Sequence, residues 1–275
     1  IPRGETPSFV LTLIKPLREL KRHSPDIHPR AGRATVDHPT AMENAILVDE
    51  LSDCASRIAE LLSCGSPVAV DYEGVNLCRS GVLCIVQIAP KQGAVLLIDI
   101  ETIGNAAFDE GRLRELLESQ SLIKLCYDCR ADADALYHLH GVTPHNLFDL
   151  QVAYCTKRDV ESHRRDPFLK GLGNALQGLG LGSAQSRQLE QVKNKGLALF
   201  APEKGGSYEV WRQRPLPQDL IDYASLDVAY LHVMFEKWAR FVPANQMREL
   251  TEARVKRAVD GRIAAKGKHM ARKDF

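Results

Sequence analysis

Two carboxylates lie two positions apart in the stretch VAVDYEGVNL, residues 68–77, which begins as an apolar strand. Because side chains at positions i and i+2 of a strand point to the same face, Asp71 and Glu73 are expected side by side. Two like charges are unfavourable there, and a divalent cation between them is the natural compensation. The alternative is an edge strand whose polar face is solvated, and the spacing alone leaves both interpretations open.

Two further segments carry acidic residues in a suitable context. Asp132 follows the apolar stretch LIKLCYD, at the carboxyl end of an expected strand, where α/β sheets commonly build their sites. Asp227 lies in a helical stretch with Tyr223 four residues earlier, so phenol and carboxylate share one helix face. Each also has an ordinary explanation, Asp132 as a helix cap and Tyr223 as a core aromatic. Together the four carboxylates form an oxygen-only set that suits Mg²⁺ or Mn²⁺, and two such ions are a recurring solution for phosphodiester cleavage.

Hydrophobic patterning predicts the elements that position these residues. A strand and a helix in 42–65 precede three strands, PVAVDYEG, GVLCIVQIA and AVLLIDI, whose short turns imply antiparallel pairing. Helices then alternate with the strands LIKLCYD and NLFDLQVA, which requires crossovers. The chain is therefore predicted to be an α/β protein with a mixed sheet covered by helices. Residues 194–217 are expected to be irregular and to lead into one long last helix over 217–241, while the fold of residues 184–210 is left open.

Composition and charge limit the class of protein. The chain has 275 residues, of which 44% are hydrophobic and 26% charged, typical of one large globular domain with extensions. No apolar run approaches the roughly 20 residues that span a bilayer. Seven cysteines, an odd number without regular spacing, indicate reduced thiols in an intracellular compartment.

Charge is unevenly distributed, although the net charge is only +1. Residues 1–40 carry seven Lys and Arg against four Asp and Glu, and residues 244–275 carry nine against four. Basic ends around an acidic centre suit an enzyme that holds cations and acts on a polyanion, while solvated terminal charge is the alternative. We predict an N-terminal extension (1–44), a catalytic domain (45–243) and a basic C-terminal helix or tail (244–275).

Two other motifs invite different chemistry. The CYDC sequence, Cys126 and Cys129, has the spacing of a zinc or redox half-site, with His138 and His140 downstream, but no second pair follows. The glycine-rich stretch 171–183 does not give the dinucleotide-binding pattern, and its leucines fall at helical spacing.

Three motifs in order resemble those of the DEDDy branch of 3′–5′ exonucleases, in the RNase D and Werner-type group. They are VAVDYEG…VLCIVQIA, IKLCYDCRADADALYHLHG…NLFDLQVA and WRQRPLPQDLIDYASLDVAYL, and the resemblance covers about residues 46–240. It implies a ribonuclease H-like fold, two divalent cations (Mg²⁺ or Mn²⁺), and release of nucleoside monophosphates from a 3′ end.

The resemblance also implies roles by position. The metal ligands would be Asp71, Glu73, Asp132 and Asp227. Tyr223 would orient the attacking water, Glu73 and Gly74 would bind substrate at the terminal 3′-hydroxyl, and Asp149 would support the ligands. Asp128 and Asp134 flank Asp132 and contest its role, but the motif favours Asp132. The sister branch has a histidine where this chain has Asp222, which indicates the tyrosine branch.

The resemblance implies that the partner is the 3′ end of single-stranded RNA and that no membrane is involved. Protein partners could bind the terminal extensions. The sequence resembles small eukaryotic members most, including Egalitarian-type domains of small-RNA pathways and the kinetoplastid mitochondrial RNase D that trims uridylated guide RNA. That last resemblance suggests a mitochondrial location, with nucleus and cytoplasm open. The alternatives are a DNA exonuclease, or an RNA or protein adaptor with this fold that has lost its ligands. The complete set of four carboxylates and the tyrosine favours catalysis.

Overall fold

The computed structural model describes residues 45–261 and 271–275. The predicted extension 1–44 lies outside the described residues, as do residues 262–270 of the basic C-terminal segment.

Six strands form one mixed sheet in the order β1-β4-β3-β2-β5-β6. They are β1 (Ala45–Val48), β2 (Val68–Val75), β3 (Val82–Pro90), β4 (Val95–Asp99), β5 (Lys124–Cys126) and β6 (Leu147–Asp149). β2, β3 and β4 pair antiparallel, whereas β1 runs parallel to β4, and β2, β5 and β6 run parallel to one another. This confirms the predicted mixed sheet. Since β2 is hydrogen-bonded on both sides, the edge-strand interpretation of Asp71 and Glu73 is wrong.

Helices cover the sheet. The described residues form α1 (Leu51–Cys64), α2 (Ile100–Ile103), α3 (Ala106–Asp109), α4 (Leu113–Glu118), α5 (Arg130–His140), α6 (Leu150–Ser162), α7 (Leu172–Gln177), α8 (Ser183–Phe200), α9 (Gln218–Ala229), α10 (Leu231–Trp238) and α11 (Ala244–Asp260). Short 3₁₀ turns lie at Pro202–Lys204, Tyr208–Arg212 and Ala239–Phe241. None of the helices in the described part of the chain combines the length and apolar character needed to cross a bilayer.

The alternation along β2 divides the core into two layers. Val68, Val70 and Tyr72 pack with α1 and α4 on one face of the sheet, whereas Ala69 and Val75 pack with α9 and α10 on the other. Since side chains two positions apart share a face, Asp71 and Glu73 point toward the layer that contains α9. The apolar positions of β2 thus fix the direction of its two carboxylates.

The strand predicted over NLFDLQVA is wrong in its second half. β6 ends at Asp149, and α6 begins at the next residue. The Asp149 carboxylate accepts a hydrogen bond of 2.9 Å from the backbone N–H of Gln151, so it caps this helix.

Two other predicted boundaries need correction. The irregular segment predicted over 194–217 is wrong at its start, because α8 continues to Phe200, with Leu189, Gly196 and Phe200 buried at helical spacing. The single helix predicted over 217–241 is divided, because α9 ends at Ala229 and α10 begins at Leu231.

The basic C-terminal segment forms a helix that packs on the sheet domain. α11 lies against α5 and β6, and it buries Met247, Thr251, Arg254 and Ala258. Arg254 is completely buried and pairs with Asp149. At least one of the positive charges counted in this segment therefore faces the protein interior.

Candidate active site

Three of the predicted carboxylates come together on the sheet. One carboxylate oxygen each from Asp71, Glu73 and Asp227 lies within 4.8 Å of the other two. β5 pairs with β2 only at Val68 and Ala69, so Asp71 and Glu73 extend beyond that pairing. The buried helix α9 packs on the same face and supplies Asp227, which is 5% exposed.

The fourth carboxylate, Asp132, lies in the first turn of α5 and outside this group of three. Its pKa is raised well above the usual range by burial and, next, by the charge of Asp71, so the two side chains are close enough to interact. The competing residues are already paired: Asp134 lies 2.6 Å from Arg79, and Asp128 forms ion pairs with two arginines. Within the described residues, no lysine or arginine pairs with Asp132, which distinguishes it from both neighbours.

The cluster holds more negative charge than its surroundings stabilise. Burial, followed by the charge of Asp227, raises the pKa of Asp71 to about 8. The pKa values of Glu73 and Asp227 are also raised, in both cases chiefly by burial. A carboxyl group with a raised pKa tends to keep its proton, and a bound cation favours the charged form instead.

Tyr223 lies one turn before Asp227 on α9, as the i,i+4 spacing predicts. Its ring makes an edge contact with Phe200, with centroids 5.0 Å apart. On the same helix α8, a Cβ at Gly196 would lie 2.5 Å from Tyr223 Cδ2, so only glycine allows this approach. Burial and then the charges of Asp227 and Glu73 raise the pKa of the phenol, which therefore keeps its proton at neutral pH.

Sequence reasoning missed Lys193, which α8 brings into the site. Its Nζ hydrogen-bonds to Asp227 Oδ1 and lies 4.0 Å from the centroid of the Tyr223 ring. The helical spacing of the apolar residues in α8 could have revealed the helix that carries Lys193. The contact itself joins positions 34 residues apart, which local spacing does not predict.

Two neighbouring residues on β2 and β3 also bear on the site. The β2–β3 pairing is irregular between Glu73 and Gly74, where a Cβ on Gly74 would lie 1.9 Å from the Val82 carbonyl oxygen. Gly74 thus has a packing requirement, and its substrate contact stays a prediction. Gln87, directly opposite Asp71, is fully buried, and neither polar atom of its amide has a partner among the described residues.

Asp149 belongs to a separate buried network. Its carboxylate accepts a hydrogen bond of 3.0 Å from the backbone N–H of Asp128 and pairs with Arg254. It also groups with the thiols of Cys126 and Cys129. These three donors are one fewer than structural zinc requires, and a guanidinium already neutralises Asp149.

The two downstream histidines do not complete a zinc site. His140 Nδ1 lies 2.9 Å from Asn105 Oδ1, and His138 Nε2 lies 3.1 Å from the carbonyl oxygen of Val259. The network around Asp149 instead holds the loop from which α5, with Asp132, begins.

The donor chemistry fits divalent cations. Asp71, Glu73 and Asp227 offer only hard oxygen ligands, which Mg²⁺ and Mn²⁺ prefer, and a bound cation would offset the burial that raises their pKa values. The unpartnered amide of Gln87, facing the same side as Asp71, suits a hydrated ion or a polar substrate group.

A mixed sheet of this kind with converging acids is the arrangement that the exonuclease resemblance implies, and comparison with known proteins identifies the family. A model of the 3′–5′ exonuclease family matches residues 46–240, so the chain belongs to that family. Among curated proteins, it is 33% identical over 171 residues to the piRNA biogenesis protein EXD1 of Mus musculus, an alignment covering 60% of this chain and 28% of that protein. Ribonuclease D of Nitrobacter hamburgensis is 27% identical over 154 residues, covering 56% and 33%. The chain thus spans about a third of the length of the curated relatives it matches.

Solved structures share the fold. RNase D of Trypanosoma brucei in complex with GMP superposes with a TM-score of 0.65 at 23% identity, covering 82% of this chain and 66% of that one. RNase D of Escherichia coli, an exoribonuclease involved in structured RNA processing, gives a TM-score of 0.53 at 20% identity, covering 78% and 51%. The predicted ribonuclease H-like fold and the predicted membership of the 3′–5′ exonuclease family are confirmed, while the DEDDy branch stays a prediction.

Proposed function

We propose that this chain is a 3′–5′ exoribonuclease that hydrolyses phosphodiester bonds from the 3′ end of single-stranded RNA and releases nucleoside monophosphates. The observation that carries the proposal is the convergence of Asp71, Glu73 and Asp227, with Tyr223 one helical turn before Asp227. An adaptor that had lost catalysis would not need this set of mutually repelling carboxylates.

The proposed ligands of two divalent cations, Mg²⁺ or Mn²⁺, are Asp71, Glu73, Asp132 and Asp227. When bound, such ions supply activation of water and stabilisation of the departing oxygen. Tyr223 orients the attacking water through a phenol that stays protonated, because burial and nearby carboxylates raise its pKa. Glu73, with Gly74 beside it, contacts the terminal 3′-hydroxyl, and Asp149 supports the loop before Asp132.

The proposed substrate class is small RNA. Support comes from curated relatives at 33% and 32% identity, which are piRNA biogenesis proteins of mouse and human. The narrower hypothesis is that uridylated guide RNA is trimmed, which a substrate with a 3′ oligouridine tail tests. Protein partners at the terminal extensions and a mitochondrial location stay predictions.

The decisive experiment incubates the protein with 5′-labelled RNA and DNA of equal sequence, in Mg²⁺, Mn²⁺ or EDTA. We expect stepwise shortening of RNA from the 3′ end with either metal, and its loss in EDTA. In Asp71→Asn the rate should fall by about 10³-fold, which corresponds to about 4 kcal/mol of lost transition-state stabilisation.

Each contrary outcome points to a different alternative. Normal cleavage in EDTA would exclude the metal mechanism. RNA binding without cleavage under any condition would establish the adaptor, and cleavage restricted to DNA would establish a DNA exonuclease.

A further inference from the structure

Lys193 occupies the position in the carboxylate cluster where a cation is needed. Its ammonium hydrogen-bonds to Asp227, and its side chain is 21% exposed. It also favours the charged forms of Asp71 and Glu73, because its positive charge lowers the pKa of both carboxyls against the larger effect of burial.

The helix that carries Lys193 is held firmly against the site. Leu189, Gly196 and Phe200 of α8 are buried, and the backbone at Gly196 touches the Tyr223 ring. Lys193 therefore projects from a packed helix, in contrast to Lys195 on the same helix, which is 67% exposed and lies 3.8 Å from Asp219.

We propose that Lys193 is a built-in counter-ion that competes with divalent metal for Asp227. The inference rests on the proposed metal-dependent function. An ammonium and a metal ion cannot both occupy the same face of Asp227 Oδ1, since their charges repel. Loading of the site therefore requires that the flexible lysine stem release this carboxylate. Lys193 raises the metal concentration at which the site fills and stabilises the metal-free protein.

The test measures metal binding directly on the full chain. Mn²⁺ is titrated by electron paramagnetic resonance, which reports free Mn²⁺, into the wild type, Lys193→Met, Lys193→Arg and the surface control Lys195→Met. We expect the dissociation constant to fall by about tenfold or more in Lys193→Met, because unit charges this close interact through a dielectric far below that of water. Lys193→Arg, which keeps the charge, and Lys195→Met should bind as the wild type does.

A second readout uses melting temperature in EDTA and in saturating Mn²⁺. Lys193→Met should melt lower than the wild type in EDTA, because the carboxylates lose their counter-ion, and should gain more from Mn²⁺. Equal dissociation constants and equal Mn²⁺-induced shifts in the wild type and Lys193→Met would overturn the counter-ion role while leaving the metal site intact.

Failure of the proposed function looks different. It would show as Mn²⁺ binding that is absent in the wild type or unaffected by Asp71→Asn. If Lys193→Met did not fold, Lys193→Gln, which removes the charge but keeps a polar side chain, would decide the question: tighter Mn²⁺ binding supports competition by charge, and wild-type binding contradicts it.

Discussion

Asp71 carries the clearest electrostatic signature of the site. It lies on β2 opposite Gln87 of β3 and just beyond the pairing with β5, with Glu73 and Asp227 within reach, and its pKa is raised to about 8. The strand alternation that buries Val70 and Tyr72 on the other face forces this carboxylate into the α9 layer. Strand alternation thus sets the direction of Asp71, and the packing of α9 brings Asp227 beside it in a buried place that disfavours the charged form.

Stability of the metal-free protein should depend on pH. An unfolded aspartate titrates near pH 4, so between about pH 4 and pH 8 the folded protein keeps a proton at Asp71 that the unfolded chain has lost. The free energy of unfolding therefore falls as pH rises through this window. Asp71→Asn removes that contribution, and urea unfolding in EDTA at pH 5 to 8 should show a shallower decline. Parallel pH dependence in the two proteins would contradict the assignment.

Replacement of one hydroxyl tests the role of Tyr223. In Tyr223→Phe the ring still packs on Phe200, so metal binding and KM should stay near wild type. kcat should fall by about 10²-fold, the signature of an interaction made in the transition state. The control is Tyr137→Phe, at a tyrosine that is 45% exposed. Full kcat in Tyr223→Phe would make the ring only a core residue.

At the level of elements, α8 and α9 create the site by packing on each other. α9 was predictable, because its apolar spacing and its Tyr223–Asp227 pair are local features. α8 was not recognised, since a glycine and several charged residues interrupt its apolar positions. The approach of the Tyr223 ring requires glycine at position 196, and a contact with Asp227 places Lys193 in the site. Both requirements come from tertiary contacts, which sequence spacing does not contain.

The approach of the two helices predicts an unusual response to Gly196→Ala. Alanine within a helix ordinarily stabilises by about 0.5–1 kcal/mol relative to glycine. At Gly196 the added methyl would meet the Tyr223 ring, so we expect lower stability and a lower kcat. Gly173→Ala in α7 is the control, because no heavy atom lies within 4 Å of its added Cβ. A melting temperature that rises equally in both variants would show that α8 can move away from Tyr223 without cost.

At the scale of the whole molecule, the positive charges of the C-terminal segment are of two kinds. Some pair with acidic residues of the domain and others are exposed to solvent, and composition could not separate the two. The basic C-terminal segment was predicted either to attract RNA or to pack as a structural helix. Arg254 pairs with Asp149, and Lys273, 5% exposed, lies 2.6 Å from Asp159, so these two positive charges neutralise buried or half-buried acids. Arg248, which lies on α11 with Arg254, is exposed and remains available to a polyanion. Partners 105 residues apart in sequence are beyond what charge counting predicts.

One substitution at a paired arginine and one at an exposed arginine of α11 distinguish the structural charges from those that could bind RNA. Arg254→Ala leaves Asp149 buried without its counter-charge, which typically costs about 3–5 kcal/mol, so the melting temperature should fall. Cleavage of short and long RNAs should weaken alike, because Asp149 holds the loop before Asp132.

Arg248→Ala should leave stability unchanged. If its guanidinium contacts a phosphate, the slope of log K against log[salt] should become shallower by about 0.7, and only RNAs long enough to reach α11 should bind more weakly. Phosphate contacts do not read bases, so preference at the 3′ end should stay the same in both variants. An unchanged salt slope in Arg248→Ala would leave α11 as a purely structural helix, and an unchanged melting temperature in Arg254→Ala would contradict its part in holding the site.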